Sequence, residues 1–191
     1  MAYNFFALIS RMKHVFRWGM MRNSLSDNLS EHSHMTAVLA HALGVIRRDV
    51  FGEDCDPDHL AAAALYHDAS ELLTGDLPTP IKYADPTLTE RYKAMERDAS
   101  ARLASYLPEK MRTAYLPLLC EDLPADELEL LKAADKLAAH IKCVEELRAG
   151  NGEFRRAEEQ TRQALDRIDL KEVKYFRETF MPSFGLTLDE I

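Results

Sequence analysis

Cysteine is scarce in this chain. Cys55, Cys120 and Cys143 are the three present, odd in number, far apart and in no metal-ligating spacing. That argues against a disulfide framework and against a thiolate metal site, and favours reduced thiols in a cytoplasmic protein. Glycine is also sparse, at 7 of 191 residues, while 47% of the chain is hydrophobic, which suits a compact helical protein and argues against disorder. Strictly alternating polar and apolar runs are few, which leaves little material for sheet. No apolar stretch approaches the length of a membrane span, so no membrane partner is expected. Basic residues are outnumbered by acidic ones, 24 to 32, for a net charge of −8. A nucleic-acid polymer needs a basic surface, and this composition does not supply one.

No repeat, low-complexity tract or long linker divides the chain, so a single all-α domain over residues 1–191 is expected. The opening segment is the one basic stretch. Arg11, Lys13, Arg17 and Arg22 all precede the first acidic residue, Asp27. It has the look of a transit peptide, yet it runs into WGMMRN and the next helix without a separating linker, so a folded first helix over 3–16 is expected. Its positive charge would draw a small anion. A second helix opens near Ser30 behind the capping side chains of Asn28 to Glu31 and runs to about Arg48. A third has Asp56 as cap and Pro57 in its first turn, and runs to about Leu73. The stretch 74–83, TGDLPTPIKY, holds Gly75, Pro78 and Pro80 and reads as a rigid loop. Helices over 87–106, 109–120, 124–149, 153–167 and 170–181 follow, with Phe176, Phe180 and Phe184 docking the tail.

Three of these helices carry a polar intrusion on an apolar stripe. At about 100° per residue, His32 shares a face with Met35, Leu39, Leu43 and Ile46. His67 falls in line with Leu60, Ala63 and Ala64, and Asp68 is the next residue round. Asp135 shares its stripe with Leu128, Leu131 and Ala138. Buried ionisable groups need partners. Two imidazoles and two carboxylates make a set that a divalent cation would satisfy, although Asp135 alone could equally pair with Lys132 or Lys136. Glu71 lies one turn beyond His67. His34 sits about 200° from His32 and shares a face with His41, so these two cannot serve the same site. They are expected to be ordinary hydrogen-bonded residues, as are His14, His59 and His140.

The longer stretches RWGMMRN, NLSEHS, LYHDASELLTGDLPTPIKY and KAADKLAAHIKCVEEL, with PSFGLTLDEI at the end, resemble the bacterial 5′-deoxynucleotidase family of HD-domain phosphohydrolases. The resemblance runs over essentially the whole length. It implies a helical HD-domain bundle, hydrolysis of deoxyribonucleoside 5′-monophosphates to nucleoside and phosphate, and a homodimer. It also implies one divalent metal ion per subunit: cobalt, manganese, zinc or similar. By the same resemblance His32, His67, Asp68 and Asp135 are the metal ligands, with His32 and Asp135 also facing the substrate. Arg17 takes the phosphate and Trp18 stands near the sugar where a 2′-hydroxyl is rejected. Glu71 acts on the attacking water or the leaving oxygen. Asp76 holds the sugar 3′-hydroxyl, and Thr79, Pro80, Ile81 and Lys82 line the nucleotide pocket.

The residue types fit those roles. Arginine offers a planar fork of donors for phosphate, and the prolines of the loop shape it before substrate arrives. The rival readings are an HD-domain hydrolase of nucleoside triphosphates or signalling nucleotides, a catalytically silent nucleotide-binding dimeric module, and a purely structural bundle. The basic segments that a polyphosphate requires are missing, and all four ligand positions are filled.

Overall fold

A computed structural model describes residues 3–82 and 84–191, with the backbone alone at Thr79. Ten helices are seen among them: α1 (Phe5–Ile9), α2 (Leu29–Val45), α3 (Pro57–Tyr66), α4 (Glu71–Thr74), α5 (Thr79–Lys82), α6 (Pro86–Ser105), α7 (Glu109–Leu119), α8 (Ala125–Arg148), α9 (Arg155–Asp166) and α10 (Lys171–Thr179). No strand occurs among the described residues; a lone antiparallel bridge joins Phe16 and Asn28.

The helix starts follow from side-chain caps. Asn28 Oδ1 accepts from the backbone N–H groups of Ser30 and Glu31 at 3.0 and 3.1 Å, and Asp56 does the same for Asp58 and His59. Each such cap contributes about 1 kcal/mol. Asp85 caps α6, with Pro86 in its first turn.

Several boundaries differ from the sequence expectation. The first helix ends at Ile9 rather than continuing to 16: Phe5, Leu8, Ile9 and Met12 pack inward, but Phe16 faces solvent and the chain tightens into a 3₁₀ turn at Met12. After a 3₁₀ turn at Met12–His14, the chain extends and pairs with residues 27–29 through Arg17 N–H to Asp27 O and Leu29 N–H to Val15 O, both 3.0 Å. The third helix stops at Tyr66, and residues 67–70 form a tighter turn bonded three residues apart, Ala69 to Tyr66 and Glu71 to Asp68. The 74–83 loop contains a helical turn at Thr79–Lys82. Pro80 is tolerated there because a first-turn N–H has no intrahelical partner to lose. At the C-terminal end Phe176 and Phe184 pack on the core, whereas Phe180 is 44% exposed and rests against Phe176.

Two apolar clusters share the interior. In the larger, α2 lies against α3 and α8, and Leu39, Leu43, Leu60, Ala63, Ala64, Leu131 and Leu137 are fully or almost fully buried. Each leucine so buried contributes about 1.5–3 kcal/mol. Gly44 lets α2 approach α3 closely, since a Cβ there would stand 3.0 Å from the Pro57 Cα. A buried ion pair, Arg47 Nε to Glu172 Oε1 at 2.7 Å, ties the end of α2 to α10. The smaller cluster packs Phe5, Met12, Leu29 and Ala69 on Leu103, Leu107 and Leu119, with rings of Phe5, Tyr66 and Tyr115 in mutual contact. Ala63 and Ala64 belong to one cluster and Ala69 to the other. The turn at residues 67–70 therefore spans the seam between them, held at both ends.

Candidate active site

The four ligand candidates converge at that seam. His32 stands on the first turn of α2, 4% exposed, with Nε2 3.1 Å from Asp135 Oδ1 and 3.5 Å from Asp68 Oδ2. His67 Nε2 is 3.2 Å from the same Asp68 oxygen. Ligand atoms of His32, His67 and Asp135 lie within 4.8 Å of one another. Of the two lysines proposed for Asp135, Lys136 Nζ reaches its second oxygen at 3.1 Å, while the first faces His32.

Protonation states inside this group follow from its geometry. Carbonyl oxygens only accept, so the 2.7 Å contact between His67 Nδ1 and Ala64 O puts the proton on Nδ1 in neutral imidazole. The lone pair is then on Nε2, a buried atom whose near polar neighbour is Asp68 Oδ2 at 3.2 Å, itself only an acceptor when ionised. A buried imidazole lone pair facing two half-buried carboxylates is a donor set that fits a divalent metal ion, with the backbone carbonyl orienting the ring. Burial works against charge throughout the group. At His67 it is outweighed by Asp68 and Asp135, which push the imidazole up to about 9. His32 goes the other way, lowered by burial and by Arg17. Asp68 and Asp135 overcome burial through the histidines and are held well below the usual carboxylate range. Without a metal, then, protonated His67 is the cation of the group.

Around it stand the other predicted residues. Glu71 opens α4 one turn past His67; it is 7% exposed, and Oε2 has no partner. Burial, Asp68 and Asp76 together push its carboxyl up to about 9. Burial also raises Asp76, with Arg17, His32 and Lys82 pulling back. Between these two acids Gly75 adopts φ +78°, ψ 157°, a region open essentially to glycine alone, and this reverses the chain so that both carboxyls face one space. Arg17 lies on the extended stretch before α2, with its buried Nη1 3.8 Å from Asp27 Oδ2 and making no hydrogen bond. Its charge acts on His32, Asp68, Glu71 and Asp76, so it faces the same space.

Trp18 has φ 57°, a left-handed backbone that costs a bulky residue of order 1–3 kcal/mol. Its indole rests on Phe154 with ring centroids 5.4 Å apart, and Nε1 is buried without a partner. Lys82 pairs with Glu96 at 2.7 Å and lies over the Tyr92 ring, while its charge reaches Glu71 and Asp76. Pro80 and Ile81 are exposed, and the Thr79 side chain lies outside the described residues. A cleft of about 230 Å³ between the 24–27 stretch and α8 has His32 in its lining.

Three of the remaining histidines, His41, His59 and His140, are used as ordinary bonding groups. His140 Nδ1 meets Thr161 Oγ1 at 2.9 Å, His59 meets Glu127 at 2.8 Å, and His41 lies 3.4 Å from Asp58. Distant helices supply those partners, so spacing along one helix does not reveal them.

Two acids escaped the sequence reading. Asp27 faces Arg17. Glu121, between α7 and α8, has φ 51°, and burial raises its carboxyl against the pull of His67 and Lys132. Glu121 sits in a plain acidic stretch, and no local pattern marks it.

Residues 4–184 match the protein family described as 5′-deoxynucleotidase YfbR-like. The chain is 47% identical to 5′-deoxynucleotidase YfbR of Shigella boydii, over 98% of this chain and 95% of that one. It is 46% identical to a 5′-deoxynucleotidase of Erwinia tasmaniensis, over 98% and 96%. Among solved structures, an HD-domain phosphohydrolase of Listeria innocua superposes with TM-score 0.79 at 24% identity, covering 95% of this chain and 88% of that one. An HD phosphohydrolase of cyanophage S-2L, described as bound to dA and one catalytic Zn2+ ion, superposes with TM-score 0.61 at 24% identity, covering 95% and 96%. By the family match and the near full-length identity, this chain belongs to the 5′-deoxynucleotidase YfbR-like family.

Proposed function

We propose that this chain is a metal-dependent phosphoric monoester hydrolase that converts deoxyribonucleoside 5′-monophosphates to deoxyribonucleosides and inorganic phosphate, with residues 1–191 acting as one catalytic domain. Relatives at 46–47% identity over nearly the full chain bear the name 5′-deoxynucleotidase. The observation that carries the reading is the convergence of His32, His67, Asp68 and Asp135, with the buried His67 Nε2 turned toward the carboxylates and the Arg17 guanidinium nearby.

His32, His67, Asp68 and Asp135 would hold one divalent ion per subunit: cobalt, manganese, zinc or similar. That ion supplies Lewis acidity toward a phosphoryl oxygen and lowers the pKa of a water. The rest of the work falls to the chain's own side chains. Arg17 binds phosphoryl oxygens with its fork of donors, where stabilisation of charge matters most in phosphoryl transfer. Burial, Asp68 and Asp76 raise the Glu71 carboxyl, which suits it to exchange a proton with the attacking water or with the 5′-oxygen as the P–O bond breaks. Asp76 accepts from the sugar 3′-hydroxyl. Trp18 packs beside C2′ and leaves no room for a hydroxyl there, and His32 and Asp135 border the phosphate. Thr79, Pro80, Ile81 and Lys82 form the outer wall of the nucleotide pocket.

The enzyme works as a cytoplasmic homodimer in this reading. No helix among the described residues is long and apolar enough to cross a membrane. Exposed Phe6, Phe16 and Met20 are apolar surface that a subunit contact would cover. The deciding experiment strips the protein with chelator, restores single metals, and assays paired deoxyribo- and ribonucleoside monophosphates. Orthophosphate from the deoxyribonucleotide alone is the expected product. Metal-independent turnover, or pyrophosphate or triphosphate released from a nucleoside triphosphate as the preferred reaction, would overturn the assignment.

A further inference from the structure

Arg17 and Trp18 open a stretch with no regular structure that continues to Asp27, and something must hold its shape. The far end of that stretch is gripped by one carboxylate. Glu146, 2% exposed in the last turns of α8, accepts the backbone N–H of Ser24 at 2.9 and 3.1 Å and that of Leu25 at 3.2 Å. Its oxygens also receive Asn151 Nδ2 at 2.8 Å and Lys142 Nζ.

The two neighbouring donors reach the same stretch by second bonds. Asn151 Nδ2 donates to Arg22 O and Lys142 Nζ to Leu25 O, each at 2.7 Å. Glu153 takes both the backbone N–H and the Nε of Arg22. A buried carboxylate is costly unless its lone pairs are filled, and here two backbone amides of the recognition stretch help to fill them.

The near end is set by the same part of the molecule. Trp18 leans on fully buried Phe154, whose ring also lies under Lys142 Nζ at 5.8 Å. The Asn23 amide donates to the carbonyls of Trp18 and Met21 at 3.4 and 3.1 Å. The left-handed backbone of Trp18 is one that persists only where its surroundings over-determine it. The end of α8 and the turn after it supply those surroundings.

We infer that Glu146 is a positioning residue for sugar recognition: by clamping Ser24 and Leu25 to the end of α8, it holds Trp18 in the one pose that excludes a 2′-hydroxyl. This rests on the reading above, in which Trp18 faces the sugar.

Trp18 is the single tryptophan of the chain, so its fluorescence reports the clamp without any reference to catalysis. The test uses the full-length, metal-loaded protein as wild type, Glu146→Ala, Glu146→Gln, Asn151→Ala and Trp18→Ala. For Glu146→Ala, acrylamide should quench Trp18 more strongly and the emission should shift to the red. KM for 2′-deoxyadenosine 5′-monophosphate should rise about tenfold with kcat little changed, and the preference over adenosine 5′-monophosphate should fall at least about fivefold, as expected for a misplaced binding group. Hydrolysis of p-nitrophenyl phosphate, which has no sugar to place, should stay within about twofold, because arginine and the metal group are untouched. Glu146→Gln keeps an acceptor and should recover most of the selectivity. Asn151→Ala should show the same signature at smaller size, and it carries the test if Glu146→Ala folds poorly.

Unchanged quenching and selectivity in folded Glu146→Ala or Asn151→Ala would overturn the clamp. If Trp18→Ala itself leaves the deoxyribo preference intact, the sugar role of Trp18 fails, and the substrate part of this inference fails with it. A lowered preference in Trp18→Ala with none in Glu146→Ala overturns the clamp alone.

Discussion

His67 Nδ1 lies 2.7 Å from the carbonyl oxygen of Ala64, and this bond decides which nitrogen of the ring titrates. The Nδ1 proton is committed, so the second proton sits on Nε2, facing Asp68. In the metal-free protein His67 is raised from 6.5 to about 9. The stability that this proton contributes is therefore complete below about 6.5 and is lost as pH rises through about 9. A metal at Nε2 must displace the same proton. Calorimetric titration at pH 7 in buffers of different ionisation enthalpy should find about one proton released per metal, and affinity should strengthen about tenfold per pH unit up to about 9. A pH-independent affinity would remove Nε2 from the coordination set. Asp68→Ala and Asp135→Ala should lose metal content and activity together.

Glu71 lies outside the ligand group while sharing its space, so metal retention and turnover should separate. Glu71→Ala and Glu71→Gln should keep the metal, measured by elemental analysis, and lose about 10²–10⁴ in kcat. Near-normal turnover in either would take the proton-transfer role from Glu71.

Arg17 has a buried Nη1 with nothing bonded to it and an acid, Asp27, standing 3.8 Å away. Removing the guanidinium should lower kcat/KM by about 10²–10³ for every phosphate ester tried, since a lost donor to a charged transition state costs about 3–4 kcal/mol. Lysine should recover little, because one ammonium cannot copy a planar fork. Equal kcat/KM in wild type and Arg17→Ala would mean that the phosphate is bound elsewhere.

Gly44 sets the spacing between the helix of His32 and the helix that leads to His67. In Gly44→Ala, two effects oppose each other. Alanine improves helix propensity by about 1 kcal/mol, while its Cβ would stand 3.0 Å from both the Pro57 Cα and the Leu60 Cδ1. Pro57 is backbone and cannot swing away, and overpacking of this kind costs about 1–3 kcal/mol. A melting point lower by several degrees is expected, with weaker metal binding. A higher melting point would mean that α3 slides without cost.

Arg47 and Glu172 offer a check that stability and chemistry are separable. Both are buried and bonded, Arg47 just past the C-terminal end of α2 and Glu172 on α10, away from the metal group at the start of α2. Arg47→Ala leaves a carboxylate buried alone and should cost about 3–5 kcal/mol in denaturant unfolding, with kcat per folded molecule unchanged. A mild effect on stability would show that Glu172 reaches solvent.

The inward-facing residues of the candidate site were legible in the sequence. His32, His67 and Asp135 each interrupt an apolar stripe, and the physics of burial alone says such interruptions need a partner. The capping residues Asn28 and Asp56 were equally plain, because a cap is a local pattern of three or four residues. What failed locally was the end of the third helix: alanine-rich sequence favours continuing past Tyr66, yet Ala69 is drawn into the second cluster, and the turn tightens to reach it. Glu121 and Glu146 gave no signal either, being acids among other acids.

The chain's composition and its 3.6-residue periodicity determined an all-helical protein, where its main helices begin, and which polar side chains face inward. Only the packing of helices decided that His32 and Asp135, 103 residues apart, would stand 3.1 Å from each other, that Trp18 would take a left-handed backbone, and that the His67 Nε2 would be buried facing the carboxylates. Periodicity orients a side chain relative to its own helix axis. Distances between helices are set by the volumes of the residues that fill the space between them, and no single segment contains that information.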